Sequence, residues 1–160
     1  MRVLITGATG LIGTQLQSRL IAENFEINYL TTQTDFDDMP GTKGFYWNPA
    51  KGKIDQNCML GVDVIVHLAG ASISKRWTQS YKQEIIESRI LSANLLFKTL
   101  KNNPHNVRQL ISASAIGIYP NSLSHVFSEN ETAIDNSFLG DVVAKWEQSV
   151  DKFKPLGIKV

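Results

Sequence analysis

The amino-acid sequence predicts an α/β protein in which helices cover both faces of a parallel sheet, the doubly wound arrangement. Apolar runs typical of buried strands alternate along the chain with segments of helical periodicity. The most strand-like run, residues 62–69, is nearly continuous in apolar residues, as expected of a strand that is covered on both faces. Strands and helices that alternate with crossovers of this length favour a parallel sheet.

The first half of the chain opens with a predicted strand over residues 2–6, followed by a tight turn and a helix that begins near Leu11. Phe25, Ile27 and Tyr29 alternate with polar residues and indicate a second strand. The tract 31–43 is largely polar and is predicted to be a loop. A weaker third strand is predicted within residues 44–47.

The second half contains two longer helices. Apolar pairs recur every four to five residues from Thr78 to Asn102 and predict one helix there. A strand over residues 107–112 follows, and Ser137 is placed to cap a helix that begins at Phe138. Residues 158–160 resemble the first residues of a further strand, which would normally run for about five residues. We therefore expect residues 1–160 to be one domain that lacks its last strands and any C-terminal substrate lobe.

Composition excludes several classes of partner. The 16 Lys and Arg residues nearly balance the 15 Asp and Glu residues, so no strong field favours nucleic acid or an anionic membrane. Cys58 is the only cysteine, which excludes an internal disulfide and a thiolate metal cluster. Glycines interrupt the first apolar run before it reaches signal-peptide or membrane-spanning length. We expect a cytoplasmic protein with no metal, nucleic-acid or membrane partner.

The motif with the clearest chemistry is G-A-T-G-L-I-G at residues 7–13. Gly7 suits the tight turn, Gly10 lets a ligand approach the backbone, and Gly13 lets the helix pack close to the strand. The first helical amides then face an anion such as a dinucleotide pyrophosphate. The residues predicted to form this anion site are Gly7, Thr9, Gly10, Leu11, Ile12 and Gly13. A glycine-rich turn that binds nothing is the alternative, and a P-loop is excluded because no Gly-Lys-Ser/Thr follows.

The spacing G-x-x-G-x-x-G resembles that of the extended short-chain dehydrogenase/reductase superfamily. Further segments are similar to its YfcH-type epimerase-like family: H-L-A-G-A at 67–71, K-R-W-T at 75–78, Ser88-Arg89, S-A-S-A-I-G-I-Y at 112–119 and F-L-G-D-V-V-A-K-W-E at 138–147. The similarity covers the whole chain in order. It implies a Rossmann fold, an NAD or NADP cofactor, and oxidation or epimerisation of a small hydroxyl-bearing substrate, with sugar nucleotides as one class.

The resemblance also implies further cofactor contacts. The residues that it places along the cofactor are Leu68, Ala69, Gly70 and Ser112. At the end of the second strand, a carboxylate would favour NAD and an arginine would favour NADP. Thr31 and Thr32 hold this place, and the family often has arginine at Thr32. We expect a slight preference for NADP, because a neutral hydroxyl repels the 2′-phosphate less than a carboxylate does.

The catalytic positions depart from the superfamily, which uses a Ser or Thr and a Tyr-x-x-x-Lys pair to move a proton. Ser112 and Ser114 are present, but Leu139 and Val143 fall in the Tyr and Lys places. We expect Ser114 to position the reacting group without acting as a base. The first candidate for the acid–base group is Tyr119, although a packed loop aromatic is the alternative. Lys145 is out of register.

Three further side chains have open roles. His67 is expected to be a core histidine with a satisfied ring rather than a catalytic one. Arg76 and Arg89 would each hold a phosphate of the cofactor or substrate, or else form an ion pair with Glu84 or Glu87.

Two functions follow from these residues. The first is an NAD(P)-dependent oxidoreductase or epimerase. The second is a non-catalytic NAD(P)-binding sensor or assembly module, which the missing Tyr-Lys pair favours. The helix 78–102 has more apolar surface than one sheet face should absorb, and we expect it to form a homodimer interface.

Overall fold

The computed structural model describes residues 1–160 and consists of one six-stranded sheet with three longer helices. The strands are β1 (Arg2–Thr6), β2 (Glu26–Thr31), β3 (Thr42–Asn48), β4 (Lys53–Ile54), β5 (Val64–His67) and β6 (Gln109–Ser112). The helices are α1 (Leu11–Ala22), α2 (Gln79–Asn102) and α3 (Phe138–Asp151). No helix has the length and apolar character needed to cross a bilayer.

The sheet order is β4-β3-β2-β1-β5-β6, and every pair is parallel except β3 with β4. β2, β3 and β4 follow one another on one side of β1, and β5 and β6 then lie on the other side of β1. The direction of winding therefore reverses between β1 and β5, which is the place where ligands bind in folds of this kind.

The helices cover both faces of the sheet, which confirms the doubly wound prediction. Val3 and Ile5 point to one face, where they form a small core with residues of α1. Leu4 points to the other face, into a larger core that contains Leu96 of α2 and Trp146 of α3. This alternation follows from the two-residue repeat of a strand.

Ser137 caps its helix as predicted, and Thr78 caps the other long helix, which the sequence analysis had not specified. The Thr78 hydroxyl accepts a hydrogen bond from the Tyr81 amide at 3.2 Å, and the Ser137 hydroxyl accepts one from the Gly140 amide at 3.3 Å. The strand predicted over residues 62–69 is shorter in the structure, since only Val64–His67 pair as β5. β4 was not predicted, because its two residues are too few to show a repeat.

The predicted start of a further strand at residues 158–160 also pairs with the sheet. The Lys159 amide donates to the Arg108 carbonyl at 2.9 Å, and the Leu110 amide donates to the Lys159 carbonyl at 2.8 Å. Lys159 therefore lies parallel to the beginning of β6.

A buried chain of hydrogen bonds connects β1, β5 and α2 through Thr6, His67 and Ser92, none of which is exposed to solvent. The Thr6 hydroxyl lies 2.7 Å from Nδ1 of His67, and the Ser92 hydroxyl lies 3.2 Å from Nε2. The amides of Leu68 and Ala69 both donate to Thr6 Oγ1 at 3.1 Å. Two donors occupy the lone pairs of this oxygen, so its own proton goes to His67 Nδ1.

This arrangement assigns the proton of His67 to Nε2, from which it is donated to Ser92. Ser92 in turn donates to the Arg89 carbonyl at 2.9 Å. Burial lowers the pKa of His67 to about 4, so the ring is neutral at neutral pH. His67 is therefore a core histidine with both ring nitrogens satisfied, as the sequence analysis favoured.

This burial makes the stability of the fold depend on pH. The folded pKa of His67, about 4, is below the usual value of 6.5, so the unfolded chain binds the proton more readily. The stabilising effect of the neutral ring is complete above pH 6.5 and is lost as the pH falls towards 4, by about 3 kcal/mol in total. Urea denaturation between pH 4 and 7 should show this decline.

The same measurement on His67→Gln isolates the effect of this residue. The variant should be less stable at pH 7 and should lose about 3 kcal/mol less than the wild type over that pH range. His125→Gln, which changes an exposed histidine, serves as the control and should keep the wild-type decline. An identical pH dependence in His67→Gln and the wild type would contradict the assignment.

Candidate cofactor-binding and active site

The turn after β1 lies directly against the end of β5. Gly7 has a φ of +70°, a conformation that residues with a Cβ rarely adopt. A Cβ at Gly7 would lie 2.8 Å from the Leu68 carbonyl carbon and 3.0 Å from the Ala69 nitrogen. Glycine is therefore required here both for the backbone conformation and for the close approach of the two strand ends.

Gly10 and Gly13 have different surroundings. A Cβ at Gly13 would lie 2.7 Å from Ala8 Cα, so Gly13 allows α1 to pack on the turn. A Cβ at Gly10 would meet only the Gly7 carbonyl oxygen, at 3.2 Å. Gly10 has an ordinary extended conformation, with a φ of −79°. Glycine is therefore not required at position 10 by the backbone conformation. Its lack of a side chain leaves open space beside the backbone.

The N-terminus of α1 has no counter-charge of its own. Gly10 is the N-cap and offers no side-chain acceptor, and the first turn contains no acidic residue. Leu11 and Ile12 are 87% and 65% exposed. The first amides of a helix carry partial positive charge, so this end of α1 is suited to an anion.

A cleft of about 360 Å³ opens at the carboxyl ends of β1, β2, β3 and β5. It therefore lies at the reversal of winding described above. Its lining residues are Gly7, Thr9, Leu30, Thr31, Thr32, Gln33, Trp47, Asn48, Pro49, Ala50, Ala69, Gly70, Ser88 and Ser92. The structure thus brings together half of the predicted cofactor residues, namely Gly7, Thr9, Thr31, Thr32, Ala69 and Gly70. Gly10, Leu11, Ile12 and Gly13 continue the turn into α1, Leu68 packs against Gly7, and Ser112 lies elsewhere.

The end of β2 presents neutral polar groups to this cleft. Thr31 is buried, and its hydroxyl accepts a hydrogen bond from the Gln33 amide at 3.1 Å. Thr32 and Gln33 are exposed. A neighbouring cavity of about 460 Å³ shares Thr9, Thr31 and Gln33 and is also lined by Asp35 and Asp37.

Comparison with known proteins identifies the family. The NAD dependent epimerase/dehydratase family profile matches residues 3–139. The chain belongs to this family. It is 37% identical over 157 residues to an epimerase family protein of Staphylococcus saprophyticus and 39% identical over 157 residues to one of Staphylococcus haemolyticus. Each match covers 98% of this chain and 52% of the relative, so the chain spans about half the length of these relatives.

Solved structures give the same result. The human epimerase family protein SDR39U1 with NADPH has a TM-score of 0.76 and 27% identity, over 94% of this chain and 48% of that one. The nucleoside-diphosphate sugar epimerase from Corynebacterium glutamicum has a TM-score of 0.79 and 28% identity, over 99% of this chain and 32% of that one. The predicted family, the Rossmann fold and NAD(P) as the cofactor class are confirmed.

The two serines predicted for this epimerase/dehydratase family site lie away from the cleft. Ser112 and Ser114 line a cavity of about 410 Å³ beside β6 that shares no residue with the cleft. The Ser112 hydroxyl donates to the Ala113 carbonyl at 3.0 Å. The Ser114 hydroxyl donates to Oε1 of Glu147 at 2.5 Å. Glu147, which the sequence analysis did not single out, is therefore the hydrogen-bond partner of Ser114.

Tyr119 lies in a different cavity, of about 650 Å³, together with Leu139 and Val143. Its ring stacks on Phe127 with centroids 5.3 Å apart. The structure thus groups Tyr119 with the two positions that the sequence analysis assigned to the superfamily's Tyr-Lys pair, and separates it from Ser114. Lys145 is exposed on α3 and pairs with Asp141 at 2.7 Å.

Arg89 lies between this cavity and the cleft, and neither Glu84 nor Glu87 pairs with it. Its Nη1 donates to the Ala71 carbonyl at 3.2 Å and to the Ile85 carbonyl at 2.9 Å. Its guanidinium carbon lies 5.1 Å from the centre of the Trp146 ring. Burial lowers the pKa of Arg89, with no carboxylate close by to oppose the shift. The ion-pair alternative is therefore wrong for Arg89, and Arg76 is exposed and forms no ion pair either.

Other cleft residues were missed by the sequence analysis. The Ser88 hydroxyl accepts a hydrogen bond from the Ala71 amide at 2.9 Å, and Ser92 bonds His67. Ser88 and Ser92 are four residues apart on a helix and therefore lie on one face, so the sequence could have predicted that they occur together. The segment 47–50 gave no such signal, because it joins the last two residues of β3 to a single short turn and has no repeat. No group of three or more His, Cys, Asp or Glu side chains is placed to hold a metal.

The different surroundings of Gly10 and Gly13 predict different costs of adding one methyl group. Gly13→Ala should lower the free energy of unfolding by about 3 kcal/mol, because the new carbon would overlap the backbone of Ala8. Gly10→Ala should cost about 1 kcal/mol or less, because its space is open. Urea denaturation of both variants tests this, and equal costs would contradict the packing role of Gly13.

Proposed function

We propose that this chain forms the NAD(P)-binding part of an enzyme that oxidises or epimerises a small hydroxyl-bearing substrate. The observation that carries the proposal is the uncapped N-terminus of α1, which directly follows Gly7 and Thr9 of the cleft wall at the reversal of winding. The absence of a Cβ at Gly10 leaves room for a pyrophosphate against the backbone. When bound, the nicotinamide ring accepts and returns a hydride.

The cofactor residues divide into three groups by position. Gly7, Gly10 and the amides of Leu11 and Ile12 would bind the pyrophosphate. Thr31 and Thr32 would contact the adenosine ribose. Ala69 and Gly70 would lie along the remainder of the dinucleotide, on the side of the cleft that Arg89 supports.

NADP is the preferred dinucleotide in this proposal. Thr32 and Gln33 are neutral and exposed, so they leave space for a 2′-phosphate without a facing carboxylate. The human relative's structure contains NADPH. Asp35 and Asp37 lie in the neighbouring cavity and limit the size of this preference.

Replacement of Gly10 tests the cofactor site. Gly10→Val should fold, because its φ of −79° suits any residue, but its side chain should block the pyrophosphate and weaken NADPH binding by at least about tenfold. Calorimetric titration of NADPH and NADH measures both affinity and preference. Ala22→Val, on the exposed end of the same helix, should bind NADPH like the wild type.

Two results of these titrations would contradict the assignments. Unchanged NADPH affinity in a folded Gly10→Val protein excludes the pyrophosphate site. Tighter binding of NADH than of NADPH by the wild type excludes the preference for NADP and leaves the site itself in place.

The proton chemistry of the proposed enzyme does not use a Tyr-x-x-x-Lys pair. Leu139 and Val143 cannot exchange protons, and Ser114 has no cation beside it. In our proposal Tyr119 carries the proton, because it shares a cavity with Leu139 and Val143. Ser114 and Glu147 line a separate cavity, so the positioning role predicted for Ser114 is not part of this proposal. The hydroxyl of Tyr119 makes no hydrogen bond within the chain, so it is free to contact a substrate.

Removal of the Tyr119 hydroxyl tests this role. Tyr119→Phe should lower kcat by about 10²–10⁴, the contribution of one acid–base group. Tyr46→Phe, on β3 and outside the cavity, is the matched control and should leave kcat unchanged. If kcat is also unchanged in Tyr119→Phe, the proton moves through another group.

The second candidate function is a non-catalytic NAD(P)-binding sensor or assembly module. The apolar side chains of Leu139 and Val143 favour it, since they occupy the places of the usual proton-transfer residues. Both functions require cofactor binding, so only chemistry separates them. A screen for reduction of NAD(P)⁺ by sugar nucleotides and small alcohols decides between them, because turnover excludes the module.

We also propose self-association through α2. Its buried residues face the sheet and α3, whereas Ile86, Ile90 and Leu91 remain partly exposed. A partly exposed apolar stripe of this kind suits a two-fold interface. Sedimentation at high micromolar concentration should show a dimer that Ile86→Glu dissociates, and a monomeric wild type would contradict this proposal.

A further inference from the structure

We propose that the cavity around Tyr119 binds a small amphipathic acid, with an apolar body and one carboxylate held by Arg89. This inference rests on the proposed function, because it names the substrate class of the same enzyme. It also narrows that function, since a monocarboxylate with an apolar body differs chemically from a sugar nucleotide.

The cavity is mostly apolar and contains a single charge. It has a volume of about 650 Å³, enough for a ligand of modest size. Arg89 is its only charged lining residue. The others are Ile73, Ala115, Ile116, Gly117, Tyr119, Pro120, Asn121, Ser122, Phe127, Leu139, Val142, Val143 and Trp146.

The guanidinium of Arg89 has hydrogen-bonding capacity that the chain does not use. Nη1 is occupied by the carbonyls of Ala71 and Ile85, whereas Nη2 and Nε have no partner. Neither of these nitrogens is sealed from solvent, because neither is among the buried polar atoms that lack a partner. Arginine presents such donors in a planar fork that matches the two oxygens of a carboxylate.

A second donor beside Arg89 is also unused. Trp146 is 6% exposed, and its indole N–H is buried without any acceptor. A buried donor without a partner is costly, so an acceptor is expected at such a position. Trp146 lies under the Arg89 guanidinium and lines the same cavity. Its Nε1 is sealed from solvent, so of these two side chains Arg89 alone offers free donors to a ligand in the cavity.

Charge matching favours a carboxylate over a phosphate. A carboxylate carries one negative charge, which Arg89 alone can balance. A phosphate monoester carries about 1.5 to 2 negative charges and would leave part of its charge unbalanced among apolar side chains. The neutral lining residues Asn121 and Ser122 do not change this balance, and the Ser122 hydroxyl already accepts the His125 amide at 2.9 Å.

The rest of the ligand is expected to be apolar. Leu139, Val143 and Ile116 would face a sugar with no polar partners for its hydroxyls, and unpaired hydroxyls are costly to bury. The aromatic rings of Tyr119 and Phe127 suit a flat or alkyl body. Tyr119 lines the same cavity as Arg89 and offers a hydroxyl to a polar group of such a ligand.

Four small ligands distinguish the contribution of ligand charge to binding from that of ligand shape. The full chain, saturated with NADPH, is titrated by calorimetry with phenylacetate, phenylacetamide, acetate and phenyl phosphate. Phenylacetate should bind at least about tenfold more tightly than its neutral amide and than acetate, because of these three only phenylacetate has both a negative charge and a ring. Equal affinity for phenylacetate and phenylacetamide overturns the proposal, and tighter binding of phenyl phosphate overturns the carboxylate assignment.

Variants of Arg89 test the residue itself. Arg89→Met should weaken phenylacetate binding by about ten- to a hundredfold and leave phenylacetamide unchanged. Arg89→Lys should lie between the two, because it keeps the charge and loses the fork. Arg19→Met, which removes an exposed pair with Glu23, is the control and should bind phenylacetate like the wild type. Unchanged phenylacetate affinity in a folded Arg89→Met protein excludes Arg89 as the anchor.

The same titrations distinguish this proposal from the proposed function. If NADPH does not bind, the cofactor assignment fails. If NADPH binds but phenylacetate is not preferred over phenylacetamide, only the cavity assignment fails. A structure of the full chain with one of its own carboxylates on Arg89 would also overturn the cavity assignment.

Discussion

The hydroxyl of Thr6 holds together the part of the molecule on which the cofactor cleft depends. It accepts the amides of Leu68 and Ala69 and donates to His67, so one oxygen fixes the end of β1 against the end of β5. Gly7 follows immediately and packs on the same two residues. Because these contacts are buried and saturated, the turn and the strand ends behave as one rigid unit. The position of α1 relative to the sheet follows from this unit.

Two positive features of the site have no counter-charge within the chain. One is the N-terminus of α1, which has neither a cap nor an acidic residue, and the other is Arg89, which has no carboxylate beside it. A protein that needed these groups only for stability would be expected to neutralise them locally. They belong to different elements, and we assign them to two different anionic groups, one on a cofactor and one on a substrate.

The sequence was sufficient for the elements with a clear repeat or cap. Ser137 caps its helix as predicted, and the nearly continuous apolar run 62–69 correctly indicates a strand covered on both faces, since Ile65 lies in the larger core and Val66 in the smaller one. The separation of Ser114 from Tyr119 could not be predicted, because the segment that follows β6 has no repeat to define its path. The partner of Ser114 is equally hidden, since Glu147 is 33 residues away.

One wrong alternative, the ion pair of Arg89 with Glu87, could have been excluded from the sequence. Arg89 and Glu87 are two residues apart on a helix and therefore do not face each other, which already argued against their pairing.

The two-residue strand β4 could not be predicted from the sequence, yet it matters for the behaviour of the molecule in concentrated solution. It pairs with Trp47 and Asn48 at one edge of the sheet, beside the exposed side chains of Lys43 and Lys53. Short strands and lysines at an edge discourage edge-to-edge aggregation, so contacts between copies are directed away from this side of the sheet.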